Sequence, residues 1–113
     1  MKLPRNRDAV VQDGKLAAYL LSDTHPVGKA KAKYFRSLGY SIANAGHLKD
    51  DLIAITTSNE VTETIDTPFG TKYVIDGNII SPTGIRARVR TIWIFERGEV
   101  YPRLVTAYPI DKE

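Results

Sequence analysis

The sequence predicts an α+β domain in which two to three N-terminal helices pack on a four-stranded antiparallel β-meander. Three observations carry that prediction. Apolar residues recur at helical spacing up to about residue 56. From Thr56 onward, Thr57, Thr62, Thr64 and Thr67 add β-branched side chains that disfavour helix. Turn signals at Pro68-Phe69-Gly70, Ser81-Pro82-Thr83-Gly84 and Gly98-Glu99 then divide the remainder into extended segments.

Taken in order, Asp8 to Val11 reads as a short strand or an extended arm. Asp13 suits an N-cap, and Gly14 to Leu21 reads as a helix with Leu16, Leu20 and Leu21 on its apolar side. Ser22-Asp23-Thr24-His25-Pro26 breaks it, since Pro26 is tolerated only in a first helical turn. A second helix runs from Val27 to Leu38, with Ala30, Tyr34, Phe35 and Leu38 inward and Gly39 as its stop. A third spans Ile42 to Thr56, with Leu48, Leu52 and Ile55 at helical spacing. The strands follow as Glu60–Asp66, Thr71–Ile79, Ile85–Glu96 and Tyr101–Tyr108.

The third strand is the most informative. Alternation puts Ile85, Ala87, Val89, Thr91, Trp93 and Phe95 on one face and Arg86, Arg88, Arg90, Ile92 and Ile94 on the other. An even-length turn at Gly98-Glu99 pairs Trp93 with Leu104, Thr91 with Thr106 and Val89 with Tyr108, whereas an odd one exchanges the faces. The arginine face is expected to meet solvent or an anion, because burying three unpaired guanidinium groups is prohibitively costly.

A length of 113 residues suits one domain, with too little chain for two independent cores. No apolar run approaches the roughly 20 residues of a membrane helix. Met1 to Arg5 leads into charge rather than an apolar stretch, so no signal peptide is read. The expected setting is cytoplasmic, alone or within a longer chain. Without cysteine there is no disulfide, thiol nucleophile or thiolate metal site. No P-loop, dinucleotide glycine fingerprint or nucleophile elbow is present. His25 and His47 stand apart with no acidic cluster interleaved, so neither a metal nor a cofactor is expected.

The net charge is only +3, but it is unevenly spread. Lys29, Lys31, Lys33 and Arg36 form one acid-free segment, and Arg86, Arg88 and Arg90 another. Brought together they form a patch for phosphates or an acidic protein; kept apart they are ordinary solvated faces. His25, at a polar helix entry, titrates near neutrality and suits proton transfer, although a lone histidine there also serves as a cap. Trp93, Tyr73 and Tyr108 read first as core or rim aromatics.

Several segments carry a resemblance. A Leu3-Pro4 start is followed by His25-Pro26-Val27-Gly28-Lys29-Ala30-Lys31-Ala32-Lys33-Tyr34-Phe35 and by Tyr73-Val74-Ile75-Asp76. Val89-Arg90-Thr91-Ile92-Trp93 and Pro102-Arg103-Leu104-Val105-Thr106 complete the set. This order resembles a small bacterial family of uncharacterised function over nearly the whole chain. More distantly, it resembles the barnase–EndoU–colicin–RelE-like ribonuclease toxins, which place helices before a four-stranded antiparallel sheet. That second resemblance implies catalytic roles for His25, Lys31, Arg90 and Thr106, and substrate contacts from Arg88, Arg103 and Tyr108. Under the even-turn pairing Arg90 and Thr106 lie on opposite faces, so either the turn is odd, a bulge intervenes, or only one of them belongs to the site. It implies metal-independent cleavage of RNA by 2′-hydroxyl attack, and a small acidic antitoxin or immunity protein as partner. The competing expectation is a non-catalytic protein-binding module, or the immunity component of a two-gene pair.

Overall fold

The computed structural model describes residues 1–12, 14 and 29–110, with residues 29–32 described by their backbone only. Among the described residues two α-helices of more than one turn precede a four-stranded antiparallel sheet: α1 Lys29–Ser37, α2 Ala45–Ser58, β1 Glu63–Thr67, β2 Gly70–Ile80, β3 Arg86–Glu96 and β4 Arg103–Pro109. The strands lie in sequence order, so the sheet is a meander. The fold is α+β, as the sequence predicts. The predicted helix over Gly14–Leu21 lies, apart from Gly14, outside the described residues, as does its cap Asp13.

Gly39 ends α1 at φ 101°. Its N–H bonds the Arg36 carbonyl and that of Tyr40 bonds the Phe35 carbonyl, which is the Schellman arrangement. The Phe35 and Tyr40 rings meet edge to face at 6.2 Å, supplying the apolar contact that accompanies it. The predicted third helix starts later than expected. Residues Ile42–Asn44 form a 3₁₀ turn, in which the Asn44 side chain accepts from the Ser41 N–H at 2.7 Å. Thr56, the predicted end of this helix, and Thr57, read as the start of the β half, both lie in the last turn of α2. Their hydroxyls bond back to the Ile53 and Ala54 carbonyls at 2.7 and 3.0 Å, offsetting the β-branched penalty.

The core lies between the helices and one sheet face. Phe35, Leu38, Tyr40, Leu48, Leu52 and Ile55 pack against Ile75, Ile79, Val89, Trp93, Leu104 and Ala107. The buried Thr91 hydroxyl donates to the Ile75 carbonyl and accepts from the Trp93 indole N–H, both at 2.8 Å. An N-terminal arm completes this layer through buried Leu3 and Val11. Val10 forms a parallel bridge to Arg103 on the outer edge of β4, so Ala9–Val11 is an extended arm, whereas Asp8, predicted to belong to it, closes a 3₁₀ turn over Asn6–Asp8.

The β3–β4 pairing departs from the even-turn expectation at one residue. Trp93 does face Leu104, but the register then shifts between Ile92 and Trp93, leaving Val105 as an extra residue in β4. Beyond this bulge Thr91 pairs with Ala107, Ile92 with Thr106 and Arg90 with Tyr108. The pairings of Thr91 with Thr106 and Val89 with Tyr108 are therefore not formed. The bulge lets Leu104 and Ala107, at odd separation, both point into the core.

Candidate functional site

The face of the sheet turned away from the helices carries the arginine row of β3. Because the bulge rotates the end of β4, Thr106 and Tyr108 join Arg86, Arg88 and Arg90 on this face. Arg90 is already engaged: its Nε donates to Asp76 Oδ1 at 2.8 Å and its Nη2 to Oδ2 at 3.0 Å. Asp76 stands directly opposite on β2 and keeps only 9% of its side chain exposed, against 38% for Arg90. Asp76 first, and Tyr108 after it, push the Arg90 pKa above its ordinary value. The guanidinium is thus a fixed cation with its plane set by Asp76.

Arg86 is exposed and Arg88 half-buried. Among the described residues neither side chain has a hydrogen bond or ion pair. Both border a cavity of about 370 Å³ that opens where β4 ends. Tyr34 of α1, Leu38 just beyond its end, Ala87 between the two arginines, and Pro109 and Ile110 complete the lining. Burial raises the Tyr34 pKa, so its hydroxyl stays protonated at neutral pH.

Arg103 lies on the same face toward the β3–β4 hairpin, gripped by Glu96 through Nε at 3.1 Å and Nη2 at 2.9 Å. That pair borders a separate cavity of about 400 Å³ with Val10, Ile94 and Tyr101. His25 lies outside the described residues, and Lys31 is described only as backbone within α1. Of the residues singled out from sequence, Arg88, Arg90, Thr106 and Tyr108 come together, while Arg103 sits toward the opposite end of the sheet.

Two features went unassigned in the sequence. One is Asp76, whose partner is legible in hindsight because positions 76 and 90 are equidistant from Thr83 in the β2–β3 turn. The other is a cluster in the helical layer. The Tyr40 hydroxyl donates to Asp51 Oδ2 at 2.5 Å, and His47 Nε2 lies 3.3 Å from the same oxygen. The His47 and Asp51 positions have the i, i+4 spacing of one helix face, whereas Tyr40 reaches them across a turn. Among the described residues no group of three or more His, Asp or Glu side chains is arranged to hold a metal ion, and no helix is long and apolar enough to cross a membrane.

The family model of a domain of unknown function, DUF6883, matches residues 2–111. The chain belongs to the DUF6883 family. No curated protein matches this DUF6883 domain. Among solved structures it is similar to a chain of a contact-dependent growth inhibition toxin–immunity protein complex from Klebsiella pneumoniae 342. The two superpose with a TM-score of 0.72 over 95% of this chain and 97% of that one, at 16% identity. At that identity the likeness is one of fold.

Proposed function

We propose that the domain is the toxin half of a toxin–immunity pair, cleaving RNA without a metal ion through 2′-hydroxyl attack. The observation that supports this reading most is the assembly of Arg86, Arg88, Arg90, Thr106 and Tyr108 on one sheet face. In the reaction a base takes the 2′-hydroxyl proton, the O2′–P bond forms and the P–O5′ bond breaks. An acid then protonates O5′, leaving a 2′,3′-cyclic phosphate and a 5′-hydroxyl. His25 is assigned proton transfer and Lys31 a place at the scissile phosphate. Arg90, oriented by Asp76, stabilises the charge on the phosphorane, and Thr106 bonds a phosphate oxygen. The fold shared with a chain of a toxin–immunity complex supports an immunity protein as partner.

One observation favours a second reading, a non-catalytic protein-binding module or immunity component. Arg90 and Arg103 are each neutralised by a carboxylate of the domain itself, as in a structural salt bridge. The two readings separate on induced expression of wild type beside His25→Ala and Arg90→Gln variants, following growth and total RNA integrity. Growth arrest with fragmented RNA in wild type, lost by about 10²-fold or more in His25→Ala, is the expected result. No arrest from a folded wild-type protein moves the assignment to the binding module.

A further inference from the structure

We propose that the cavity beside the start of β3 is a substrate subsite, seating one base of a single-stranded RNA whose phosphates run along Arg86 and Arg88. This rests on the reading above and extends it from the scissile phosphate to the neighbouring nucleotide. Three observations converge. First, the cavity combines apolar walls with a cationic rim. Tyr34 supplies an aromatic ring, Leu38, Ala87 and Pro109 add apolar lining, and Arg86 and Arg88 border the same space. Second, these two guanidinium groups have no partner among the described residues, whereas Arg90 and Arg103 on the same face are both held by carboxylates. Their charge is available to an incoming anion. Third, alternate strand positions stand about 6.8 Å apart, so Arg86, Arg88 and Arg90 form a line of cations along β3. A compact anion cannot reach all three, but an extended phosphodiester chain can. Ile85, 51% exposed at the lip, adds an apolar surface that solvent alone does not call for.

The test uses the intact domain and a fluorescein-labelled hexaribonucleotide methylated at every 2′-oxygen, which binds but cannot undergo 2′-hydroxyl attack. Anisotropy titrations over a salt series are expected to show an Arg86→Gln/Arg88→Gln double variant binding at least tenfold more weakly at low salt. Its log–log salt slope should be shallower by about 1.4, the value for two lost phosphate contacts on a single strand. Arg97→Gln, exposed in the β3–β4 hairpin, serves as the control and leaves both quantities unchanged. In amide NMR spectra the oligonucleotide should shift Tyr34, Ile85 to Arg88 and Ile110. Unchanged affinity in the double variant, or shifts confined to other surfaces, overturns the inference. So does a free nucleoside monophosphate that binds as tightly as the hexamer, or an acidic partner protein that shifts this groove while RNA does not. Cleavage of unmodified RNA is measured alongside. Binding in the groove without cleavage keeps the subsite and removes the ribonuclease assignment; cleavage without groove shifts does the reverse.

Discussion

At the residue scale, two polar groups in the core decide more than their size implies. Thr91 is fully buried, and its hydroxyl is the partner of both the Ile75 carbonyl and the Trp93 indole. Thr91→Val keeps the shape but strands the indole N–H away from water. The expected cost is about 1–3 kcal/mol, read as a lower denaturant midpoint at unchanged m. Tyr40 makes a prediction in pH. Burial, then the hydrogen bond and charge of Asp51, raise its pKa above the ordinary 10.0. On raising the pH the unfolded chain therefore loses its phenolic proton first. Stability from this group is complete below pH 10.0 and declines above it, as protons leave the unfolded state preferentially. Tyr40→Phe should flatten that alkaline decline in melts taken between about pH 9 and 11, leaving a smaller slope from Tyr34, whose pKa burial also raises. An unaltered alkaline profile in Tyr40→Phe would show that neither burial nor Asp51 raises the pKa of this hydroxyl.

At the element scale, α2 can lie close on the sheet because β2 has a glycine beneath it. A Cβ at Gly77 would stand 2.6 Å from Asn59 Nδ2 and 3.0 Å from Ile55 Cγ2. Gly77→Ala therefore forces either the helix or the Asn59 side chain to move, and Asn59 currently bonds the Ile55 carbonyl at 3.1 Å. A loss of about 1–3 kcal/mol is expected in equilibrium denaturation, and a neutral result would mean that α2 rides over β2 without strain. The element boundaries also show what was legible beforehand. Gly39 and the Ser81–Gly84 turn announced themselves, because a helix stop and a tight reversal each require particular backbone chemistry. The arginine face was legible from alternation alone. The Asp76–Arg90 pair was not read because it needs the β2–β3 register carried seven residues out from the turn. A bulge was one of the alternatives that would bring Arg90 and Thr106 to one face, but its place in β4 was not legible, because strict alternation was applied through Leu104 and Ala107, which are three residues apart and both buried. Thr57 misled because its β-branched propensity yielded to a helical turn in which its hydroxyl bonds the Ala54 carbonyl. The proposed site was legible only in part, since Arg88, Arg90, Thr106 and Tyr108 were named while the cavity beside them depends on where α1 meets the end of β4.

At the scale of the whole molecule, the N-terminal arm joins parts that the meander alone leaves far apart. The Val61 N–H bonds the Met1 carbonyl near the start of β1, while Val10 bonds the Pro102 carbonyl and the Leu104 N–H beside β4. Between these anchors Leu3 sits in the core at 1% exposure, within the same cluster as Trp93 and Leu52. The arm thus ties the first edge of the sheet to the last through one hydrophobic core. Truncating Leu3 to alanine should remove about 2–5 kcal/mol, a large share of the 5–15 kcal/mol typical of a domain this size. Because one core serves both edges, the loss should not be local. Tryptophan fluorescence, reporting on Trp93, and far-ultraviolet circular dichroism should shift together to a lower midpoint in a single transition. Two separated transitions, with the helical signal surviving after Trp93 is exposed, would mean that the arm stabilises β4 alone and that the sheet and helices are not one cooperative unit.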